Sequence, residues 1–311
     1  MRREIDIASG RETLKAVLLT PDHGSKPYPL VIMAGGWCYV KEIVLPQYAD
    51  EIVRRNIAVL MFDHRNFGES TGKLRQHVDP WEQIEDYRNV VSYAEQLPDI
   101  DANRLAIWGI SYSGGHALIL GAIEPRAKCV VSVVPVVDGY RTLQLVHGYG
   151  AYRFNLLKNA ILEDRRKRAA GGERAYIPHN TPNPDCEMVT WPFKSSYEFF
   201  SKARATFAPR YENRSTLEST ELLLNYSVVP FLGRLLATPV LMILAEDDNH
   251  TPWELQIEAY NSIPSPRKEI VVLKEVTHIG LYSDNSLLKR AAIPSAEFFD
   301  RYLNESAQTR S

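Results

Sequence analysis

Cysteine is scarce in this chain of 311 residues: there are three, at positions 38, 129 and 186. Their spacing fits neither a metal site nor a disulfide framework, and Cys129 sits in an apolar run that reads as core. Long apolar stretches are lacking as well. No run reaches the roughly 18 residues of a transmembrane helix, and the start MRREIDIASGRETLKAV holds no apolar segment of a leader. An excess of one charge is also absent, with 36 Lys and Arg against 38 Asp and Glu and a formal charge of −2. That balance gives no electrostatic case for nucleic acid or an anionic membrane as partner. The one basic cluster, Arg165-Arg166-Lys167-Arg168, follows Glu163-Asp164 and reads as a solvated helix face. Internal repeats and low-complexity segments are missing too. The expectation is a soluble, cytoplasmic protein without nucleic-acid or membrane partners; self-association as a homo-oligomer is left open.

What remains is ample material for a large core, since 45% of the residues are hydrophobic. Short apolar runs at 30–34, 57–62, 105–108, 128–137, 239–245 and 269–273 read as buried strands. Helical patterns at 46–55, 79–97, 253–262 and 286–303 fall between or after them, and Thr13 to Thr20 reads as an edge strand. Strands alternating with helices predict an α/β fold, a mostly parallel sheet with helices on both faces. Between residues 138 and 236 the alternation stops. Helical pieces there surround a turn-rich centre, and a structureless loop of such length is implausible inside a compact domain. The expectation is therefore a core of residues 1–137 and 237–311 carrying an inserted, mainly helical lid at 138–236.

The chain is organised around Arg104 to Gly121, RLAIWGISYSGGHALILG. A strand runs into a helix across Gly109-Ile110-Ser111-Tyr112-Ser113-Gly114-Gly115 with no room for an ordinary loop. Such a turn strains the backbone, lifts one side chain above the sheet and aims helix N–H groups at an anion. Ser111 and Ser113 compete for the apex. The apolar strand reaches Trp108 and the turn should follow at once, which favours Ser111. A strand–turn–helix with glycines for packing alone gives the same local pattern, so the partners must be found elsewhere.

A serine nucleophile needs a base, and the base needs an acid to hold its tautomer. His278 follows the run ending at Leu273, on a loop at a carboxyl strand end and so on the same sheet edge as Ser111. His23 and His179 sit in turn-rich segments, His116 points away from the apex along the helix, and His250 reads as peripheral or exposed. The acid comes from Glu246-Asp247-Asp248-Asn249-His250-Thr251-Pro252. Asp248 is preferred, with Asp247 and, at the end of the strand after the elbow, Asp138 as alternatives. The chain order Ser…Asp…His is that of one recurring hydrolase scaffold.

With these parts placed, residues 28 to 303 resemble the α/β-hydrolase superfamily. Closer resemblance is to esterase-like members related to dienelactone hydrolases and the cocaine-esterase/Xaa-Pro peptidase group. Gly109-x-Ser111-Tyr112-x-Gly114 is similar to that group's elbow, and Asp63-x-Arg65-x-Phe67-Gly68-x-Ser70 looks like the superfamily's D-x-R-G-x-G-x-S turn, with Asn66 for its first glycine. Gly35-Gly36-Trp37 stands where a His-Gly-x turn supplies an oxyanion-hole N–H. The resemblance thus implies that the backbone N–H groups of Trp37 and Tyr112 hold the oxyanion. In the same group a tyrosine hydroxyl can serve the oxyanion, and Tyr39 is nearby.

The function expected from these roles is a serine hydrolase. It would cleave a carboxylic ester or related acyl bond of a small to medium, largely apolar molecule through an acyl-enzyme. No metal or organic cofactor is implied. Acyl transfer, or cleavage of an acyl or polyketide-type thioester, is the main alternative; a peptidase or a non-catalytic receptor stands further off. Tyr149, Tyr152, Phe154, Trp191, Phe193, Phe199 and Phe200 exceed what a solvated linker carries. They suggest that the lid binds the non-reacting part of the substrate.

Overall fold

The structure is a computed structural model and describes residues 1–148 and 152–305. A hairpin opens the chain, Arg2–Ser9 (β1) and Glu12–Leu19 (β2), paired antiparallel along its length. Then come Tyr28–Ala34 (β3), Leu45–Val53 (α1), Ala58–Phe62 (β4), Pro80–Ala94 (α2), Ile100–Ile110 (β5), Tyr112–Ile123 (α3) and Ala127–Val133 (β6). The alternation breaks there, as expected. Next are Gly139–Val146 (α4), Tyr152–Ala169 (α5), Tyr176–Ile177 (β7), Lys194–Thr206 (α6), Ser215–Thr216 (β8), Leu217–Leu224 (α7) and Val229–Leu232 (α8). Val240–Ala245 (β9), Trp253–Ser262 (α9), Lys268–Leu273 (β10), Gly280–Ser283 (α10) and Asn285–Asp300 (α11) follow, and a π-helical turn at Arg301–Glu305 completes the order.

Eight strands form one sheet in the order β1-β2-β4-β3-β5-β6-β9-β10, antiparallel at β1-β2 and β2-β4 and parallel elsewhere. Every residue of β3, β4 and β9 is buried, which is why these runs show no apolar–polar alternation. β10 closes the edge and is only half-buried. α1 packs against α11, while α2, α3, α8 and α9 contact one another in succession. β1 escaped the sequence reading, and with it at the edge β2 is not the edge strand expected but lies between β1 and β4. Only Ile5, Ile7 and Ser9 of β1 point inward, and its other five residues, four of them charged, are exposed. β6 ends at Val133, short of the expected Val137, where Val134 turns to φ 39°.

The basic cluster is less solvated than its composition suggests. Arg165, Arg166 and Lys167 are exposed, as expected, but Arg168 is part-buried, with ion pairs to Asp164 on its own helix and to Glu218 and Glu221 of α7. Asp79 caps α2 by accepting from the Trp81 and Glu82 N–H groups, the helix start that Asp-Pro announces. Among the described residues no helix is long and apolar enough to cross a membrane.

Candidate active site

Parallel strands β5, β9 and β10 end on one edge, and the loops leaving them carry the three sequence-selected side chains; Asp248 and His278 pair directly, while Ser111 and His278 share no hydrogen bond. Ser111 lies between β5 and α3 with φ 58° and ψ −118°, a conformation that costs a non-glycine residue about 1–3 kcal/mol. Small neighbours make it attainable. A Cβ at Gly109 would strike the Ser113 carbonyl, and one at Gly36 would lie 3.1 Å from Ser111 Cβ and 3.3 Å from Tyr112 N. The turn after β3 is thereby brought against the elbow. This sets the backbone of Gly36-Trp37 beside the Tyr112 N–H at the start of α3.

Ser113 is fully buried and occupied. Its Oγ accepts from Ile110 N at 2.9 Å and lies 2.8 Å from the Ala34 carbonyl, to which it donates. It ties the elbow to β3 rather than facing the sheet edge.

Asp248 follows β9, and His278 follows β10. His278 Nδ1 is 2.9 Å from Asp248 Oδ2. The same carboxylate accepts from His250 N at 2.9 Å and Thr251 N at 2.8 Å on Oδ1, and from Thr251 Oγ1 at 2.7 Å on Oδ2. Each of those partners donates, so the carboxylate is held as an acceptor and requires a proton on His278 Nδ1. Nε2 is left as the acceptor nitrogen of the ring. Asp247 is exposed, its backbone N–H bonded to the Val276 carbonyl, and Asp138 caps α4 through Arg141 N. Neither meets His278.

Two phenols complete the site. Tyr282 Oη lies 3.2 Å from His278 Nε2, and the two rings stack with centroids 5.3 Å apart. Tyr39 meets Tyr282 edge to face at 5.6 Å. Burial is the main cause that raises both phenol pKa values, and the neighbouring Ser111 hydroxyl opposes the rise at each. Tyr282 went unnoticed in the sequence, although its place four residues after His278 is a helical spacing that puts both on one side.

His250 lies directly behind His278, one of the two places the sequence left open for it. It is buried, not exposed, and its ring is sandwiched between Phe193 at 3.8 Å and His278 at 4.8 Å. Its Nδ1 meets Asn249 Oδ1 at 2.6 Å and its Nε2 meets the Ser196 hydroxyl. His116 is buried within α3, bonded to Tyr226 Oη at 3.0 Å and Gln83 Oε1 at 3.1 Å. Among the described residues no cluster of three or more His, Cys, Asp or Glu side chains is arranged to hold a metal ion.

The Asp63–Ser70 turn is scaffold. Asp63 accepts from Lys41 N and Lys41 Nζ, both at 2.7 Å, and Arg65 binds Asp86 through Nε at 2.8 Å. Of the aromatic residues in the 138–236 segment, Phe200 approaches Tyr39 at 5.2 Å and Phe199 approaches Tyr282 at 5.8 Å. Phe154 and Trp191 are buried, Tyr152 is 76% exposed, and Tyr149 lies outside the described residues.

The buried histidines carry a consequence for stability. Burial pushes His116 and His250 well below 6.5 and His179 down to about 3. Unfolded, each takes up a proton as the pH falls through about 6.5. The unfolded chain then binds more protons than the folded one, so stability drops as pH falls from 6.5 toward the folded values. Each such group steepens that loss by up to about 1.4 kcal/mol per pH unit. Urea denaturation at about pH 7 and about pH 5 should show the midpoint fall at the lower pH. An unchanged midpoint would contradict these neutral, buried states.

The sequence pattern of the X-Pro dipeptidyl-peptidase (S15) family matches residues 10–280. An acyltransferase of Aspergillus calidoustus, drtE, is 28% identical over 301 residues, covering 95% of this chain and 93% of that protein. A thiohydrolase of Aspergillus aculeatus, aneE, is 28% identical over 265 residues, covering 81% and 79%. The crystal structure of the α/β hydrolase GrgF from Penicillium sp. superposes with a TM-score of 0.79 at 23% identity, covering 97% of this chain and 99% of that one. The fold is thus that of the α/β hydrolases.

Proposed function

The chain belongs to the X-Pro dipeptidyl-peptidase (S15) family and is an enzyme of the α/β-hydrolase class; from that premise we propose that it is a serine hydrolase which takes an acyl group from an ester or thioester onto Ser111. The observation that carries this reading is the Asp248–His278 pair at the sheet edge, whose outer nitrogen Nε2 meets the Tyr282 hydroxyl, in a chain whose Ser111 sits at a strained strand-to-helix elbow on the same edge. His278 Nε2 takes the Ser111 proton as Oγ attacks the acyl carbon. Asp248 stabilises the imidazolium that forms. The N–H groups of Trp37 and Tyr112 receive the developing oxyanion, each such donor being worth about 3–4 kcal/mol. His278 then gives its proton to the leaving oxygen or sulfur, and a second nucleophile releases the acyl group by the reverse route.

Segment 138–236 acts as a lid in this reading. It supplies Phe193 and Ser196 to His250, and Phe199 and Phe200 to the phenols. The relatives named acyltransferase and thiohydrolase support acyl transfer from a thioester as well as from an ester.

Intact-mass measurement tests the reading. Acyl thioesters of N-acetylcysteamine and p-nitrophenyl esters should each raise the protein mass by one acyl group in place of one hydrogen, before turnover clears it. An added alcohol should divert product from acid to ester. Neither mass gain nor turnover with either donor would overturn the proposal.

A further inference from the structure

We infer that the cavity beside Tyr282 seats the acyl chain of the substrate, and that Tyr282 is the door between that chain and Ser111. The inference rests on the acyl-enzyme chemistry proposed for Ser111. The cavity measures about 670 Å³, a size suited to a medium-sized ligand, and lies between α6 and the α10–α11 corner. Its covered surface is apolar: Phe199 and Ala203 from α6 face Ile279, Tyr282 and Leu288. Its exposed lining is mixed, with Ser195, Glu198 and Lys202 along α6, Asn285 opposite and the half-exposed ring of Phe207 just past α6. The cavity therefore fits an acyl chain that is hydrocarbon along its covered part, with polar side chains in reach of oxygen at its far end.

Ser111 does not line this cavity. Tyr282 does, with its ring, while its hydroxyl reaches His278 Nε2 at 3.2 Å. Because Asp248 holds the proton on Nδ1, the Tyr282 O–H donates to Nε2. That lone pair is the one the Ser111 proton requires. In this conformation one side chain therefore bars the route from cavity to nucleophile and occupies the base. α10 is a single four-residue turn, so Tyr282 can withdraw without disturbing a long helix. An acyl chain entering the cavity displaces it, and Ser111 and His278 then pair directly.

The test compares acetyl, hexanoyl and decanoyl thioesters of N-acetylcysteamine on wild type, Ser195→Trp and Tyr282→Phe. Wild-type kcat/KM should climb with chain length, by up to about tenfold per methylene at best. Ser195 is exposed, so Ser195→Trp fills the mouth without a folding cost and should cut the decanoyl-to-acetyl ratio by about tenfold or more. Tyr282→Phe keeps the ring and unlatches the door, so it should raise kcat/KM for acetyl most and narrow the same ratio. An unchanged ratio in Ser195→Trp, with Ser111 still acylated, would overturn the cavity assignment. A uniform loss of kcat across all chain lengths in Tyr282→Phe would make the hydroxyl a catalytic donor and overturn the door. Failure of the wild type to acylate at all would instead sink the proposed function.

Discussion

Ser111→Ala should lower kcat by about six orders of magnitude, to the residual rate of a site that still binds substrate and oxyanion. The size follows from the proposed role: Ser111 sits at the strained apex between β5 and α3 and is the nucleophile through which every turnover passes. Ser113→Ala should behave differently in kind. It strips the Ala34 carbonyl of its donor and Ile110 N of its acceptor, both buried. We expect a loss of about 1–3 kcal/mol in stability, with most activity retained in the folded fraction. Progress curves and urea midpoints on the two variants separate these outcomes. A stable, inactive Ser113→Ala with an active Ser111→Ala would reverse the assignment.

Asp248→Asn should cost on the order of 10⁴-fold in kcat, and the reason is the tautomer. Oδ1 accepts from two backbone N–H groups, so the carbonyl oxygen of an Asn must remain there. The amide NH₂ is then turned toward Thr251 Oγ1 and His278 Nδ1. A donor facing Nδ1 forces the proton to Nε2, which leaves no lone pair for Ser111. Asp247→Asn, altering an exposed side chain, should leave kcat within a factor of about two, as surface changes usually do. Steady-state kinetics on both variants decide between the two acids. Full activity in Asp248→Asn with loss in Asp247→Asn would move the role to Asp247.

Much of the scaffold was legible because its signals are local. An unbroken apolar run such as Leu30 to Ala34 states its own burial, and Asp79-Pro80 marks a helix start within two residues. The elbow and the carboxyl-edge loops were readable for the same reason. His250 was legible only as one of two readings, because Glu246 to Thr251 is polar throughout and resembles a solvated loop. Its burial comes from Phe193 and Ser196, more than fifty residues earlier in the chain. Tyr282 and Tyr39 were underrated for a related reason. Tyr282 matters because its hydroxyl reaches His278, and Tyr39 because its ring meets Tyr282, a contact between the loops after β3 and β10 that neither segment states alone. β1 hides because only alternate residues face inward and its partner strand supplies the rest.

The central claim is that Ser111, activated by His278, carries the acyl group. Brief exposure to a small fluorophosphonate, followed by proteolysis and mapping of the modified peptide, tests it most directly. The account requires one phosphonyl group per chain, on Ser111, absent from Ser111→Ala and strongly slowed in Asp248→Asn. Modification of Ser113, or of neither serine in an otherwise folded protein, would contradict it.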